Sequence, residues 1–554
     1  MTPLSDRADA RAGRGRIDSV SIAGWLERLS DAWLVTLAAA LLFALSAWPL
    51  LLVALPPLQD LPNHVASAHI AAHPGLYPQY VFNGFFKSNA LLMLWLHVFG
   101  RYGLFGAARA FTAVVLATTA LALPIFVLRF AGRRGFLTGM VFAWPLVHGF
   151  FLSMGMLNFA LAFALSLVLF VLIDQQRQRA LGWRALIIAG LGGVLWYAHP
   201  FPLLVVGALV ALHAVGRTTW HERTRTAAVL LAPLLPVGLL VGASAWQHLV
   251  KADRVRSHAE TWVAYLPPWE TLAHVWLDAS GALTRWGSVT VLPAALLAYY
   301  GWKQRRQWGA RPLFSPLAVA GLAAAYVALP TMLSNWWYFN CRLVPFLWVA
   351  VIARLPERIP RLASTTLVLC ALWFSAALGV DYLRLDRDRA AFAAGTNAVP
   401  MQATLLPLLF KHGKTSDFTA SLTHAWADYV IARNTSAPLV FAVERSYPIT
   451  YREFPPAALI PPALDEWAEK HGTPAQVCKR IRPDRPEVDK ECLDEWRREW
   501  ATFWRQAEPR FSHLLTWAMP PEARPIIPSS YHLVFAAGDL EIYQRTTPGN
   551  RVPG

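Results

Sequence analysis

Over the first 383 residues, long apolar blocks alternate with short polar loops. Segments 31–55, 105–128, 156–173 and 227–246 are nearly free of charge. They approach or exceed the roughly 20 residues that cross a hydrocarbon core about 30 Å thick. In lipid the backbone must bond to itself, so such blocks are helices. The pattern predicts helices near 31–55, 105–128, 135–152, 156–174, 183–198, 201–216, 227–248, 287–302, 313–333, 343–355 and 364–382. That is a polytopic α-helical membrane domain of about 11 spans, 13 at the upper count. Segment 88–104 is also apolar, but as a span it would put the next basic loop on the wrong side. It reads as an in-plane or re-entrant helix.

From residue 384 the apolar blocks end and Arg, Asp, Glu, Pro and Trp take over. Residues 384–554 read as a small soluble α/β domain. PLVFAV (438–443) is expected as a strand, and YHLVF (531–535) with LEIYQ (540–544) as a hairpin across a Gly-containing turn. LTHAWADYVIARN (422–434) has helical spacing. Residues 1–30 read as a polar, Arg-rich cytoplasmic tail, and the apolar run after it as a retained signal anchor, too long for a cleaved signal.

Lys and Arg outnumber Asp and Glu by 50 to 34, a formal net charge of +16. Their placement explains the excess. Arg129, Arg133 and Arg134 share one loop, Arg177, Arg179 and Arg184 another, Arg217, Arg223 and Arg225 a third. The alternate loops, SMGMLN (153–158) and YAHPFP (197–202), carry none. The positive-inside rule then puts the basic loops and the N-terminus in the cytoplasm and the C-terminal domain in the periplasm of a bacterial inner membrane. The charge is topological, and nucleic acid is not an expected partner.

The first outer loop holds the most informative string, PPLQDLPNHVASAHIAAHPGLYPQYVFNGFFK (56–87). Pro62 suits the first turn of a helix, which leaves Asp60 either as its cap or as a carboxylate facing a cavity and able to act as a general base. Four short motifs, D-x-P-N-H (60–64), G-M-L-N-F (155–159), A-H-P-F (198–201) and N-C-R-L (340–343), resemble those of bacterial multispanning proteins grouped with the GT-C glycosyltransferases. That superfamily includes protein O-mannosyltransferases and the aminoarabinose transferase of lipid A. The resemblance covers most of residues 31–383 and implies a GT-C-like fold. It implies that Asp60, with His64 beside it, deprotonates an acceptor hydroxyl that attacks a polyprenyl-phosphate-linked sugar. Many members carry a second acidic residue where this chain has Asn158, so a second acidic site for a divalent cation is not visible, and no cofactor is expected.

A lipid-phosphate leaving group calls for cations and donors at the membrane edge. Arg342 offers the guanidinium fork that suits phosphate, with Lys87, Asn158 and His199 as further candidates on the same face. In the outer domain His424, Trp426, Tyr429, Arg445 and Tyr447 mix rings with charge in the manner of a glycan-binding surface. Ordinary core is the competing account of those five. Cys478 and Cys492 are expected to form a disulfide in an oxidising compartment. No C-x-x-C, H-E-x-x-H or nucleotide-binding motif appears, and metal ligands are not expected. A non-catalytic scaffold whose outer domain binds glycan or protein is the alternative function, and a transporter the third.

Overall fold

The computed structural model describes residues 29–177, 182–251, 263–267, 289–305, 313–333, 336–412, 420–442, 447–461, 463–484 and 487–546. The first helices are α1 (Asp31–Ala47), α2 (Leu61–Ala72), α3 (Leu91–Phe99), α4 (Leu104–Ala143), α5 (Phe150–Ser153) and α6 (Leu157–Gln176). Next come α7 (Trp183–Ala198), α8 (Pro200–Val215), α9 (Trp220–Leu231), α10 (Leu235–Lys251), α11 (Val291–Gln304), α12 (Pro316–Ala328), α13 (Val344–Ile352) and α14 (Arg361–Ala393). The C-terminal part adds α15 (Ala427–Arg433), α16 (Ala463–His471), α17 (Pro474–Ile481) and α18 (Lys490–Ala507).

Among the described residues five helical stretches are long and apolar enough to cross a membrane: Asp31–Leu51, Leu104–Ser153, Leu157–Gln176, Trp220–Ser244 and Arg361–Ala398. This fits a multi-pass membrane protein and corrects the eleven predicted spans. Apolar composition runs straight through helix breaks that the structure respects. The blocks at 183–198 and 201–216 become two 16-residue helices, each about 24 Å long, separated at His199–Pro200. The block at 343–355 becomes the nine-residue α13, and the start of the predicted 287–302 span lies outside the described residues. Residues 105–128 and 135–152 share one continuous helical stretch that breaks at Gly132, where φ is +78°. A Cβ on Gly139 would lie 2.5 Å from a Val127 methyl. Twelve residues of straight helix would separate these positions by about 18 Å, so α4 folds back on itself at Gly132. The apolar segment at 88–104 yields only the nine-residue α3, under half the length of a span.

Basic loops gather at one pole. Arg133 meets Asp31 at the start of α1, and Arg129 and Arg177 both reach the buried Asp174 at the end of α6. The opposite pole carries the loop between α1 and α4 and the C-terminal residues.

Those two parts share one core. Ala66, Ile70, Tyr77 and Tyr80 of the first loop pack with Leu405, Trp426, Tyr429, Trp500 and Leu514. Strand β1 (Tyr80–Phe82) pairs antiparallel with β6 (Ile449–Tyr451). Two-residue strands β2 (Val263–Ala264), β3 (Met332–Leu333) and β4 (Trp336–Trp337) make a separate small antiparallel sheet. The main sheet has the order β5 (Leu405–Leu409), β7 (His513–Trp517), β9 (Leu540–Arg545), β8 (Tyr531–Ala537), parallel only between β5 and β7. The expected hairpin is present as β8–β9, turning at Gly538 with φ +58°. Residues 438–442 are not a strand; they form a turn whose polar groups bond the first loop. The boundary expected at 383/384 falls inside the unbroken 33-residue α14, which carries the polypeptide out of the bundle. There Arg389 makes a two-pronged ion pair with the buried Asp428, Nε to Oδ2 at 2.9 Å.

Candidate functional site

Asp60 occupies the N-cap position of α2, yet its side chain makes no capping bond. Its backbone is held instead: the N–H groups of Gln59 and Asp60 donate to the carbonyls of Ser153 and Met154, both at 3.1 Å. Gly155 makes this approach possible. It has φ +79°, and a Cβ there would sit 2.7 Å from the Asp60 nitrogen. The carboxylate is 17% exposed and turns toward His424, with Oδ1 3.5 Å from Nε2. It does not face bulk solvent.

His424 comes from the C-terminal domain and is 3% exposed. Asn63, three residues beyond Asp60 on the same helical face, holds its other edge. The Asn63 amide donates to Leu439 O at 2.9 Å, accepts from the Phe441 N–H at 3.0 Å and lies 3.3 Å from His424 Nδ1. His64 follows on α2 with its ring against Phe441, 5.4 Å between centroids. Burial pushes its pKa down to about 4, against an opposing pull from Asp60, so the ring is neutral at neutral pH. His64, Ser67, Asn89, Met93, Phe441 and Tyr447 line a small cleft, about 280 Å³ counted with its open mouth, and the Ser67 hydroxyl oxygen beside it is buried with no hydrogen-bond partner.

Arg342 sits where Asp60's field is felt. It precedes α13 and is 6% exposed. Its guanidinium lies 5.3 Å from the Phe159 ring centre and 5.4 Å from that of Trp336, donates to Trp337 O at 3.2 Å, and has Nη1 2.7 Å from His199 Nε2. Nε is buried without a partner, and among the described residues no carboxylate is in ion-pair range of it. The Phe201 N–H faces the other ring nitrogen, Nδ1 of His199, at 3.2 Å. Both nitrogens of His199 therefore meet donors, and a neutral imidazole can accept at only one. Burial and the neighbouring guanidinium hold that ring well below its ordinary basicity.

The G-M-L-N-F stretch joins the two halves. Gly155 seats Asp60, while Met156 Sδ lies 3.8 Å from Arg342 Nη2 and Phe159 stands beside the guanidinium. Asn158 is fully engaged elsewhere: Oδ1 accepts from Leu92 N–H at 2.9 Å and Nδ2 donates to Asn89 O at 2.8 Å, so it anchors the start of α3. From Phe159 an apolar cavity opens between Phe150, Phe151, Phe163, Val344 and Trp348, about 580 Å³ measured to its mouth.

The remaining sequence candidates fall in different places. Trp426 and Tyr429 are fully buried core, the Tyr429 hydroxyl donating to Phe392 O at 2.8 Å, so neither presents a ring to a glycan. Tyr447 lines the cleft and stacks on Phe441. Lys87 is half-buried in the loop before α3, and Arg445 lies outside the described residues. Cys478 and Cys492 are buried side by side as free thiols, unlinked in this structure, and the hydrogen bond between them pushes Cys492 up to about 11. Among the described residues no group of three or more His, Cys, Asp or Glu is arranged to hold a metal ion. Sequence reasoning passed over Asn63, Gly155 and Phe441. Asn63 and Gly155 lie inside the motifs D-x-P-N-H and G-M-L-N-F without standing out as site residues, and Phe441 lies in the segment expected as a strand; all three matter through contacts between distant segments. No family model matches this chain, and no curated protein matches it.

Proposed function

We propose that the protein is a membrane glycosyltransferase of GT-C type, inverting, which moves a sugar from a polyprenyl-phosphate carrier to an acceptor hydroxyl on the periplasmic face. The observation that carries this reading is Arg342, a buried guanidinium with no carboxylate partner among the described residues, next to an apolar cavity and near a sheltered Asp60. An uncompensated buried charge costs several kcal/mol and is a functional signature at a membrane edge. A lipid phosphate supplies the counter-charge and the acceptors that Arg342 Nε and the His199 pair lack, while its prenyl chain suits the cavity between Phe150, Phe163 and Trp348.

In the reaction the acceptor hydroxyl gives its proton to Asp60 as its oxygen bonds to the anomeric carbon. The bond from that carbon to the phosphate oxygen breaks, and the lipid phosphate leaves as an anion against Arg342. In this scheme the acceptor approaches through the cleft beside His64 and Tyr447, which neighbours Asp60 through His64.

Mass spectrometry of lipid co-purified with the protein tests the donor half. Wild-type protein should retain polyprenyl phosphates and Arg342→Gln should lose them. Equal retention of ordinary phospholipid by both, with no prenyl species and a stable protein partner instead, supports a scaffold and defeats the enzyme.

A further inference from the structure

Asp60 lies on the first loop and its nearest polar neighbour lies some 360 positions later in the chain, so the site is closed across a seam between two segments. The chemistry of that seam can be read from Asn63. Its amide orientation is fixed at both ends, since a flipped amide would set NH₂ against the Phe441 N–H and oxygen against Leu439 O. The NH₂ group therefore faces His424 Nδ1, which must accept. A neutral His424 then carries its proton on Nε2, aimed at Asp60 Oδ1.

We infer that His424 is a positioning residue for Asp60: its Nε2–H, held in one tautomer by Asn63, fixes the carboxylate in its reactive orientation. The inference rests on the glycosyltransferase reading and adds that the C-terminal domain completes the catalytic centre. At 3.5 Å the contact is at the margin of hydrogen bonding, and it tightens with a small closure of the seam when substrate fills the cleft. Among the described residues His64 acts electrostatically on both members of the pair and Arg342 on Asp60.

The test uses full-length protein in detergent or liposomes and follows undecaprenyl phosphate released from undecaprenyl phosphate carrying glucose, mannose or arabinose. His424→Gln keeps a donor near the position of Nε2 and should stay within about threefold of wild-type kcat. His424→Phe fills the volume without a donor and should lose kcat by on the order of 10- to 100-fold with little change in KM. His424→Asn, which reaches Asn63 but not Asp60, should behave like Phe and covers the case in which Phe fails to fold. Wild-type kcat in Phe or Asn, or an equal loss in Gln and Phe, would overturn the positioning role. Activity surviving in Asp60→Asn would instead defeat the underlying glycosyl-transfer reading.

Discussion

Three side chains and one hydrogen atom define the site's precision. In the proposed reaction Asp60→Asn removes the proton acceptor while keeping size, and it should abolish sugar transfer without lowering protein abundance, checked by product formation against immunoblot. Gly155→Ala brings a methyl within 2.7 Å of the Asp60 nitrogen at a positive φ. It should cost about 1–3 kcal/mol of stability and cut kcat on the order of 10²-fold by displacing the carboxylate; a thermal scan beside an activity assay separates the two. His64 titrates near 4 when folded because burial disfavours its charged form, against about 6.5 for a free imidazole. The unfolded chain takes up that proton first, so the contribution is full above pH 6.5 and is lost progressively as pH falls toward 4. His69 and His513 are depressed in the same sense by burial, so His64→Gln should shallow the acid slope of Tm without flattening it. At this scale the sequence was informative about identity only. Asp60 and Arg342 stand out as polar residues at the ends of apolar blocks, but Trp426 and Tyr429 stand out equally and turn out to be core. An aromatic side chain serves burial and ligand stacking alike, and composition does not separate them.

Among elements, α2 and α14 connect the helical bundle and the C-terminal domain. Helix α2 presents Asp60, Asn63 and His64 from its first turn, where Pro62 fits because no backbone N–H is needed. Helix α14 runs from the bundle into the domain and ends on the Arg389–Asp428 pair. Both partners are largely buried, so Arg389→Ala strands a buried carboxylate and should destabilise by about 3 kcal/mol or more, read as a drop in Tm that Asp428→Asn in the same chain partly restores. Hydrophobic periodicity located helices well and their ends poorly. The break at Gly132 and the short α7 and α8 are set by local backbone geometry and by Pro200, which a hydropathy window averages away. The turn at 438–442 was expected as a strand because Leu439, Val440 and Phe441 are apolar. Their backbone groups bond Asn63 rather than a neighbouring strand.

For the whole molecule, the first loop is structurally part of the C-terminal domain. An isolated fragment 384–554 should therefore fail to fold, exposing the surface that Ile70, Tyr77 and Tyr80 cover and losing the β1–β6 ladder. The same fragment joined through a flexible linker to residues 56–90 should gain cooperative unfolding by circular dichroism. If the fragment alone unfolds cooperatively, the shared core is dispensable. The sequence by itself determined that this is a helical chain with several blocks apolar enough to cross a membrane and a polar C-terminal part, because the cost of unpaired backbone in lipid writes itself into long uncharged blocks. It also determined that basic loops alternate with neutral ones. Tertiary structure alone decided where the helices break, that residues 61–82 belong with the distant C-terminal domain, and that Asp60, Asn63 and His424 meet. Those outcomes depend on packing between segments hundreds of residues apart, which no local pattern of polar and apolar positions encodes.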